Sequence, residues 1–469
     1  MKLIKSTLFF LVISLSTAAA QADLDYTFDM DANVMHVSLI YKPKSKGSTT
    51  FEYGNKYYGG MSDLLKGLIK LQASVKFEID SANSTITFIH STKEPVSIQY
   101  DIIDTHTPEQ KVVGEMFRPI ITDSYFFSLS HSLFLKPKVY KRAYDKMKMS
   151  VKYINEPAFP LFFSFAPELQ PEQEVTISLT KGMDALVCGA SNLHIEERMT
   201  GTTKNYIVLR TESEESYNFN RFMNYFEAFM PSISEFWGNT NEKVYSLIAS
   251  PFLDIDNHQV SGTAFNNGFH IKYSGDTILA NNEVLFTVSH EIMHRFTGSS
   301  YLSMSNENQW FNEGFTDYNT WLLLKKSGLI TEMDLKNTLS DTYRELLSNP
   351  TNTIANSEIL EHFWDNHDYE RLPYQRGALF AAYINKQLSL LKDEDKTYQH
   401  FMRGLLERGL KKRQRVNYKG LLKSSISLPA KTTNRKCIRA LHYDGQNNPT
   451  IADIIKKRGL KQASFKQIL

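Results

Sequence analysis

The spacing of apolar and polar residues changes near residue 212. Before that point the chain alternates. Val34, His36, Ser38 and Ile40 interleave with Met35, Val37 and Leu39. Alternation sends successive side chains to opposite faces, as a half-buried strand requires. Thr85–His90, Val96–Tyr100, Val175–Leu179 and Tyr206–Leu209 read as further strands, separated by turn-forming Lys, Gly, Ser, Asn and Pro. Leu64, Leu65, Leu68 and Leu71 predict a short helix among them. This half is expected to form a β-sandwich-like domain with insertions.

Beyond the acidic break Thr211–Ser216 the period lengthens. Phe219, Phe222, Met223, Phe226 and Met230 form a stripe at helical spacing, which Pro231 is expected to end. Val244–Ile248 and Gly268–Tyr273 predict two strands. Residues 282–297 predict one buried helix. Asn281 and Asn282 offer capping oxygens, Glu283 suits the positive end of the dipole, and Leu285, Val288, Ile292 and Phe296 make the apolar stripe. Gly298 is placed to stop it. A strand-rich part followed by a small sheet and a helical lobe is an α+β multidomain architecture. The expected divisions are 1–22, 23–212, 213–425 and a basic segment at 426–469.

Composition narrows the class. A chain of 469 residues holds two to three domains at about 150 each. Its 30 Phe and 24 Tyr can fill substantial cores, which argues against disorder. A formal net charge of +2 creates no global field for nucleic acid or membrane. No phosphate loop, internal repeat or nucleic-acid module is present, so nucleic acid is not an expected partner. Residues 1–22 read as a secretory leader. Lys2 and Lys5 precede the apolar Leu8–Ile13, and Ala18–Ala20 and Ala20–Ala22 offer small-x-small cleavage sites. The apolar run falls short of the roughly 20 residues that span a bilayer. The most apolar later stretch, Ala158–Phe163, is short and broken by Pro160. The mature chain is therefore expected to be exported, periplasmic or secreted, without a membrane span. Cys188 and Cys437 can pair in an oxidising compartment or stay free. Lys411–Arg415 and Lys456–Arg458 are basic runs. They suit a solvated helix face, with weak contact to anionic envelope components as the alternative.

The chemistry concentrates in Val288-Ser289-His290-Glu291-Ile292-Met293-His294. Residues four apart share a helix face, so His290 and His294 can aim ring nitrogens at one ion. Glu291 lies about a quarter turn away, suited to touching a water rather than the ion. The same pentapeptide also fits an ordinary amphipathic helix. The downstream Trp310-Phe311-Asn312-Glu313-Gly314-Phe315-Thr316-Asp317 adds to the pattern, with eighteen residues between His294 and Glu313. A catalytic Zn²⁺ takes three protein ligands and keeps a water. Glu313 would complete the set, and Asp317, one turn on, can accept a hydrogen bond from a ligating imidazole.

His-Glu-x-x-His, the eighteen-residue interval and Asn312-Glu313-Gly314-Phe315 together resemble the gluzincin metallopeptidases, in particular the glycyl aminopeptidase family and more distantly the aminopeptidase N family. The resemblance implies a thermolysin-like, mainly helical catalytic domain behind a β-rich one. It implies one Zn²⁺ per chain, held by His290, His294 and Glu313, with Glu291 as general base. It also assigns a catalytic tyrosine. Tyr374, in Pro373-Tyr374-Gln375-Arg376-Gly377-Ala378, stands sixty-one residues after Glu313, where the families place that group. Too few residues follow for the PDZ domain that glycyl aminopeptidase relatives often carry. One element departs. Aminopeptidase N relatives carry Gly-Ala-Met-Glu-Asn on a substrate-binding edge strand, its Glu holding the substrate amine. Here Gly262, Thr263, Ala264, Phe265 and Asn266 occupy those positions, and Phe265 falls where the Glu belongs.

The expected function is an exported zinc peptidase, aminopeptidase-like, cleaving peptide or protein substrates with a metal-activated water. Phe265 keeps an endopeptidase open. Another hydrolysis on the same metal, such as epoxide opening, and a non-catalytic envelope binding protein on a peptidase scaffold are the remaining rivals. Intact ligands, base and tyrosine speak against the last.

Overall fold

The computed structural model describes residues 22–412, except 32, 55–62, 92, 108–116, 155–159, 192, 211–218, 239–242, 252–259, 266, 274–281, 299–301, 303–308, 364, 391–392 and 395–396. The leader up to residue 21, the acidic break, Asn266, Asn281, Cys437 and the basic segment from Arg413 onward lie outside the described residues. So do the side chains of Thr263, Glu283, Lys411 and Lys412.

The strands of the first half are β1 (Leu24–Asp31), β2 (Val34–Tyr41), β3 (Gly47–Glu52), β4 (Leu68–Ala73), β5 (Lys76–Asp80), β6 (Thr85–His90) and β7 (Val96–Ile102). They continue with β8 (Ile120–Ile121), β9 (Tyr125–Leu129), β10 (Lys136–Pro137), β11 (Lys148–Tyr153), β12 (Leu161–Phe163), β13 (Glu174–Ser178) and β14 (Leu186–Ala190). Two single-turn helices, α1 (Lys141–Tyr144) and α2 (Leu179–Gly182), interrupt them. The alternation read at residues 34–40 is realised, with Met35, Val37, Leu39 and Tyr41 buried. These strands make a six-stranded sheet in the order β13-β11-β1-β2-β7-β4 and two four-stranded sheets, β10-β3-β6-β5 and β12-β14-β9-β8. The Leu64–Leu71 cluster is not a helix throughout. A 3₁₀ turn covers Leu64–Gly67, and Leu68 onward joins the sheet as β4. Pairing with β7 outweighs the helical spacing there.

The second sheet body consists of β15 (Leu193–Thr200), β16 (Thr203–Arg210), β17 (Val244–Pro251), β18 (Val260–Phe265) and β19 (Gly268–Tyr273), in the order β15-β16-β17-β19-β18. β16 pairs with β17 in parallel. The sheet therefore runs across residue 212, and β15 and β16 join the sheet beneath the helical lobe. Such pairing between distant segments leaves no trace in local periodicity.

The helical lobe comprises α3 (Phe219–Trp237), α4 (Asn282–Met293), α5 (Gln309–Asn312), α6 (Gly314–Lys326), α7 (Glu332–Ser348), α8 (Asn356–His362), α9 (His367–Ser389) and α10 (Tyr398–Lys412). α3 does not end at Pro231 but continues to Trp237. Pro231 and Glu227, whose carbonyl loses its helical partner, both lie on the exposed side. Water can satisfy that carbonyl, while Ile233, Phe236 and Trp237 extend the buried stripe. No helix among the described residues is long and apolar enough to cross a membrane.

One sheet body thus has two buried faces. Phe269 and Ile271 of β19 enter the core shared with the helices. Phe265, Tyr206, Val208 and Ile248 enter a second core with Phe127, Phe162, Leu186 and Cys188 of the first half. Cys188 is buried with its thiol free.

Candidate metal centre

α4 carries the pentapeptide, but it stops at Met293 rather than at residue 297. His294 sits in the turn that follows, its amide still bonded to the His290 carbonyl at 3.1 Å. The turn bends sharply at Gly298, whose φ is +80°. A β-carbon there would also stand 2.8 Å from His294 Nδ1, so the position has both a conformational and a spatial reason to be glycine. Trp237 stacks on Phe296 with centroids 5.0 Å apart, and Tyr225 bonds Ser289 at 2.7 Å. The two contacts fix α4 and the turn after it against α3.

α6 is buried nearly all round, with Gly314 through Trp321 enclosed without a break. A helical stretch with no solvent face must satisfy its polar side chains internally. Thr316 and Thr320 donate to carbonyls one turn back, at 2.6 and 2.8 Å. Asn319 reaches Thr297 Oγ1 at 3.2 Å, and Thr316 lies 3.4 Å from the Thr297 carbonyl. The turn after α4 is thereby tied to α6.

Glu313 stands at the junction of α5 and α6. Its Oε2 lies 3.4 Å from His290 Nε2 and 3.2 Å from His294 Nε2. The outer nitrogens are engaged elsewhere. His290 Nδ1 donates to Asp317 Oδ1 at 2.8 Å, and His294 Nδ1 donates to the Thr297 carbonyl at 3.0 Å. Carboxylate and carbonyl can only accept. In its neutral form each ring therefore turns the lone pair of Nε2 inward, toward an anionic oxygen. Three electron-rich atoms converging within 4.8 Å repel one another unless protons or a metal cation lie between them. Two imidazole nitrogens and one carboxylate oxygen are the donor set of a three-ligand zinc site, and the centre fits Zn²⁺. The proton equilibria agree. Burial alone would depress both imidazoles, yet Asp317 and Glu313 raise His290 and Glu313 raises His294. Burial alone would raise Glu313, yet His294 and His290 hold it far below the carboxylate range. The centre favours positive charge.

Glu291 and Tyr374 flank this cluster. Glu291 is buried, and burial raises its pKa above the ordinary value against the pull of His294 and His290. It lies against β18: a β-carbon on Gly262 would come within 2.5 Å of Glu291 Oε1. The Tyr374 ring lies 6.0 Å from the His290 ring, nearly parallel to it. Burial, with Glu313, Asp317 and Glu291 nearby, pushes its phenol well above the ordinary range. At neutral pH it is a hydrogen-bond donor.

β18 is an edge strand whose ladder is made with β19, in the register Gly262↔Ile271, Thr263↔His270, Ala264↔Phe269 and Phe265↔Gly268. Gly262 and Ala264 face the helices. Phe265 faces the other way, 7% exposed, with the His131 ring 6.0 Å off. The structure thus brings together His290, Glu291, His294, Glu313, Asp317, Tyr374 and Gly262. Phe265 points to the opposite side of the sheet.

Sequence reasoning did not single out Thr297, whose contribution is a backbone carbonyl and carries no residue signature. It also passed over the tight contact of Gly314 with Gly377. A glycine inside a helical pattern was the available signal for Gly377.

A two-histidine, one-glutamate centre built across two helices beside an open sheet edge defines the class: a zinc metallopeptidase. Residues 283–360, which hold the ligands, match the profile of the M61 glycyl aminopeptidase family. No curated protein matches the chain in sequence. Among solved structures, an aminopeptidase N family protein from Idiomarina loihiensis is similar with a TM-score of 0.73 and 16% identity, over 90% of this chain and 76% of that one. The M1 zinc metallopeptidase of Deinococcus radiodurans gives 0.56 and 13%, over 91% and 95%. Yeast LTA4 hydrolase gives 0.54 and 12%, over 91% and 68%. At these identities the likeness is one of fold, a β-rich first half followed by a helical lobe.

Proposed function

We propose that the chain is an exported, aminopeptidase-like zinc peptidase with a thermolysin-like catalytic lobe. The observation that carries this reading is the placement of Glu291, buried between the ligand pair and the backbone of an open edge strand. Export rests on the leader read at residues 1–22.

His290, His294 and Glu313 would hold the metal, with Asp317 and the Thr297 carbonyl fixing the ring tautomers. Zinc, when bound, supplies a Lewis acid that lowers the pKa of water and polarises a carbonyl. The chain supplies the rest. A peptide can add to β18 as an extra strand, which sets its backbone beside Gly262 and Glu291. Glu291 accepts a proton from water in the site and returns it to the departing amine. Its raised affinity for a proton suits a group that must take one up and give it back. Tyr374 donates a hydrogen bond to the scissile oxygen as negative charge gathers there.

A second reading, endopeptidase, draws on Phe265. An apolar ring with its back to the helices cannot hold an ammonium group. Matched peptides with free and acetylated N-termini, incubated with the zinc-loaded protein and with a chelator control, test both. Chelator-sensitive cleavage of the free forms alone supports the aminopeptidase, with its amine anchor away from position 265. Equal cleavage of both forms supports the endopeptidase. No chelator-sensitive cleavage of either overturns the peptidase reading.

A further inference from the structure

The carboxylates of the centre are committed. Glu313 faces both histidines, Asp317 holds His290, and Glu291 lies against Gly262. One strong charge beside them is not. Arg371, on α9 one turn before Tyr374, is half-buried, and its guanidinium carbon lies 5.5 Å from the centroid of the Tyr374 ring. The neighbouring carboxylate, Glu370, lies 3.4 Å from His367 Nδ1. Among the described residues Arg371 makes no ion pair and no hydrogen bond. Its contact with the phenol engages the π-face of the ring and leaves the N–H donors unused.

A guanidinium is the side chain best matched to a carboxylate, which it can grip through two parallel hydrogen bonds. Here it is partly desolvated and held beside an aromatic ring, so less side-chain freedom remains to be lost on binding. The two ring separations place it within about 12 Å of the His290 imidazole, the reach of about three to four extended residues.

We propose that Arg371 recognises a carboxylate of the substrate, two to four residues from the bond that is cleaved. This deepens the peptidase reading and rests on it. The carboxylate has two sources, the free C-terminus of a short peptide or an acidic side chain within a longer one. Either way Arg371 selects substrates by charge, while the metal centre performs the same chemistry on all.

The test is made by binding, so that it does not depend on turnover. The zinc-loaded Glu291→Gln protein is titrated by calorimetry with three matched pentapeptides. One has a free C-terminal carboxylate, one has a C-terminal amide, and one is amidated with an internal Glu. A fourth peptide, with Gln for that Glu, is the control. The expected preference for a carboxylate-bearing peptide over its uncharged match is about ten- to hundredfold. Adding Arg371→Gln should bring that ratio close to one, and Arg371→Lys should restore part of it. Loss in the C-terminal pair identifies the α-carboxylate, and loss in the Glu/Gln pair identifies the side chain. No preference in the first place, no peptide binding at all, or a preference that survives Arg371→Gln overturns the proposal. Unchanged thermal unfolding of the Arg371 variants excludes misfolding as the cause. Cleavage assays on the unmodified, zinc-loaded protein judge the peptidase reading separately.

Discussion

Gly314 and Gly377 pack backbone to backbone where α6 crosses α9. A β-carbon on Gly314 would lie 2.4 Å from the Gly377 Cα, and one on Gly377 would lie 1.7 Å from the Trp310 carbonyl oxygen. Glu313 immediately precedes the first glycine, and Tyr374 stands one turn before the second. The closeness of two backbones therefore sets how far the tyrosine stands from the metal ligands. Gly377→Ala would meet a carbonyl that cannot give way, and the helices would have to part. Stability should fall by about 1–3 kcal/mol, toward the upper end for a backbone clash. kcat should drop as well, because the phenol moves with its helix. Urea unfolding and steady-state kinetics read the two effects. A variant with unchanged midpoint and kcat would show that the crossing does not place Tyr374.

Glu291→Gln keeps the shape of the side chain and removes its basicity. Its carboxylate is not in the cluster of ligand atoms, so zinc content by elemental analysis should stay at one per chain. Turnover should fall by about 10²- to 10⁴-fold, the range that general acid–base groups contribute. Full activity in this variant would remove Glu291 from the mechanism. Loss of zinc would make it part of the binding site instead.

The ligand set was legible because it depends on local spacing. His290 and His294 lie four apart, and Glu313 and Asp317 lie four apart. Each pair needed only a helix to face one way. The long-range contacts were not legible. Gly262 meets Glu291 across twenty-nine positions and Gly314 meets Gly377 across sixty-three, and no periodicity spans such gaps. Phe265 was read as a departure from an acidic position, but the pattern could not tell which side of the sheet it faces. Only the register with β19 and the packing on Phe127 settle that. Pro231 misled for a physical reason: a proline stops a helix only where the freed carbonyl has no other partner.

Asp317 meets His290 on the nitrogen that faces away from Glu313. Its Oδ1 accepts a hydrogen bond from His290 Nδ1 at 2.8 Å, which leaves Nε2 free to ligate. Asp317→Ala should weaken zinc binding by about 10- to 100-fold, measured by competition with a chromogenic chelator. Tyr374→Phe, which leaves every ligand intact, should bind zinc as the unmodified chain does and lower kcat. Equal zinc affinity in the Asp317 variant would mean that the imidazole is oriented by packing alone.

Placing an acid on β18 by Phe265→Glu should not create an amine anchor. The ring is buried in a core with Tyr206, Ile248 and Phe127, and a carboxylate there would be stripped of water. Loss of the aromatic volume alone costs about 3–5 kcal/mol. The variant should unfold at markedly lower denaturant, with the ratio of free to acetylated peptide cleavage no higher than before. A stable variant that newly favours free N-termini would place position 265 at the cleft after all.

Gly262→Ala tests the contact that carries the functional reading. The added methyl would overlap three atoms of the Glu291 side chain, Oε1 at 2.5 Å and Cδ and Cγ at 2.8 Å. Glu291 is buried and β18 is an edge strand, so relief comes either from rotating the carboxylate or from lifting the strand. Rotation moves the base and leaves the strand to bind peptide, so kcat falls with KM little changed. Lifting the strand raises KM as well. The residues that would hold zinc lie on α4, in the turn after it and at the junction of α5 and α6, so zinc content should be unaffected in either case. A displacement near 1 Å can cost about a hundredfold in rate, and a loss of that order in kcat is expected. Zinc loss without a kinetic defect in the remaining loaded fraction would mean that the strand supports the ligands rather than the base.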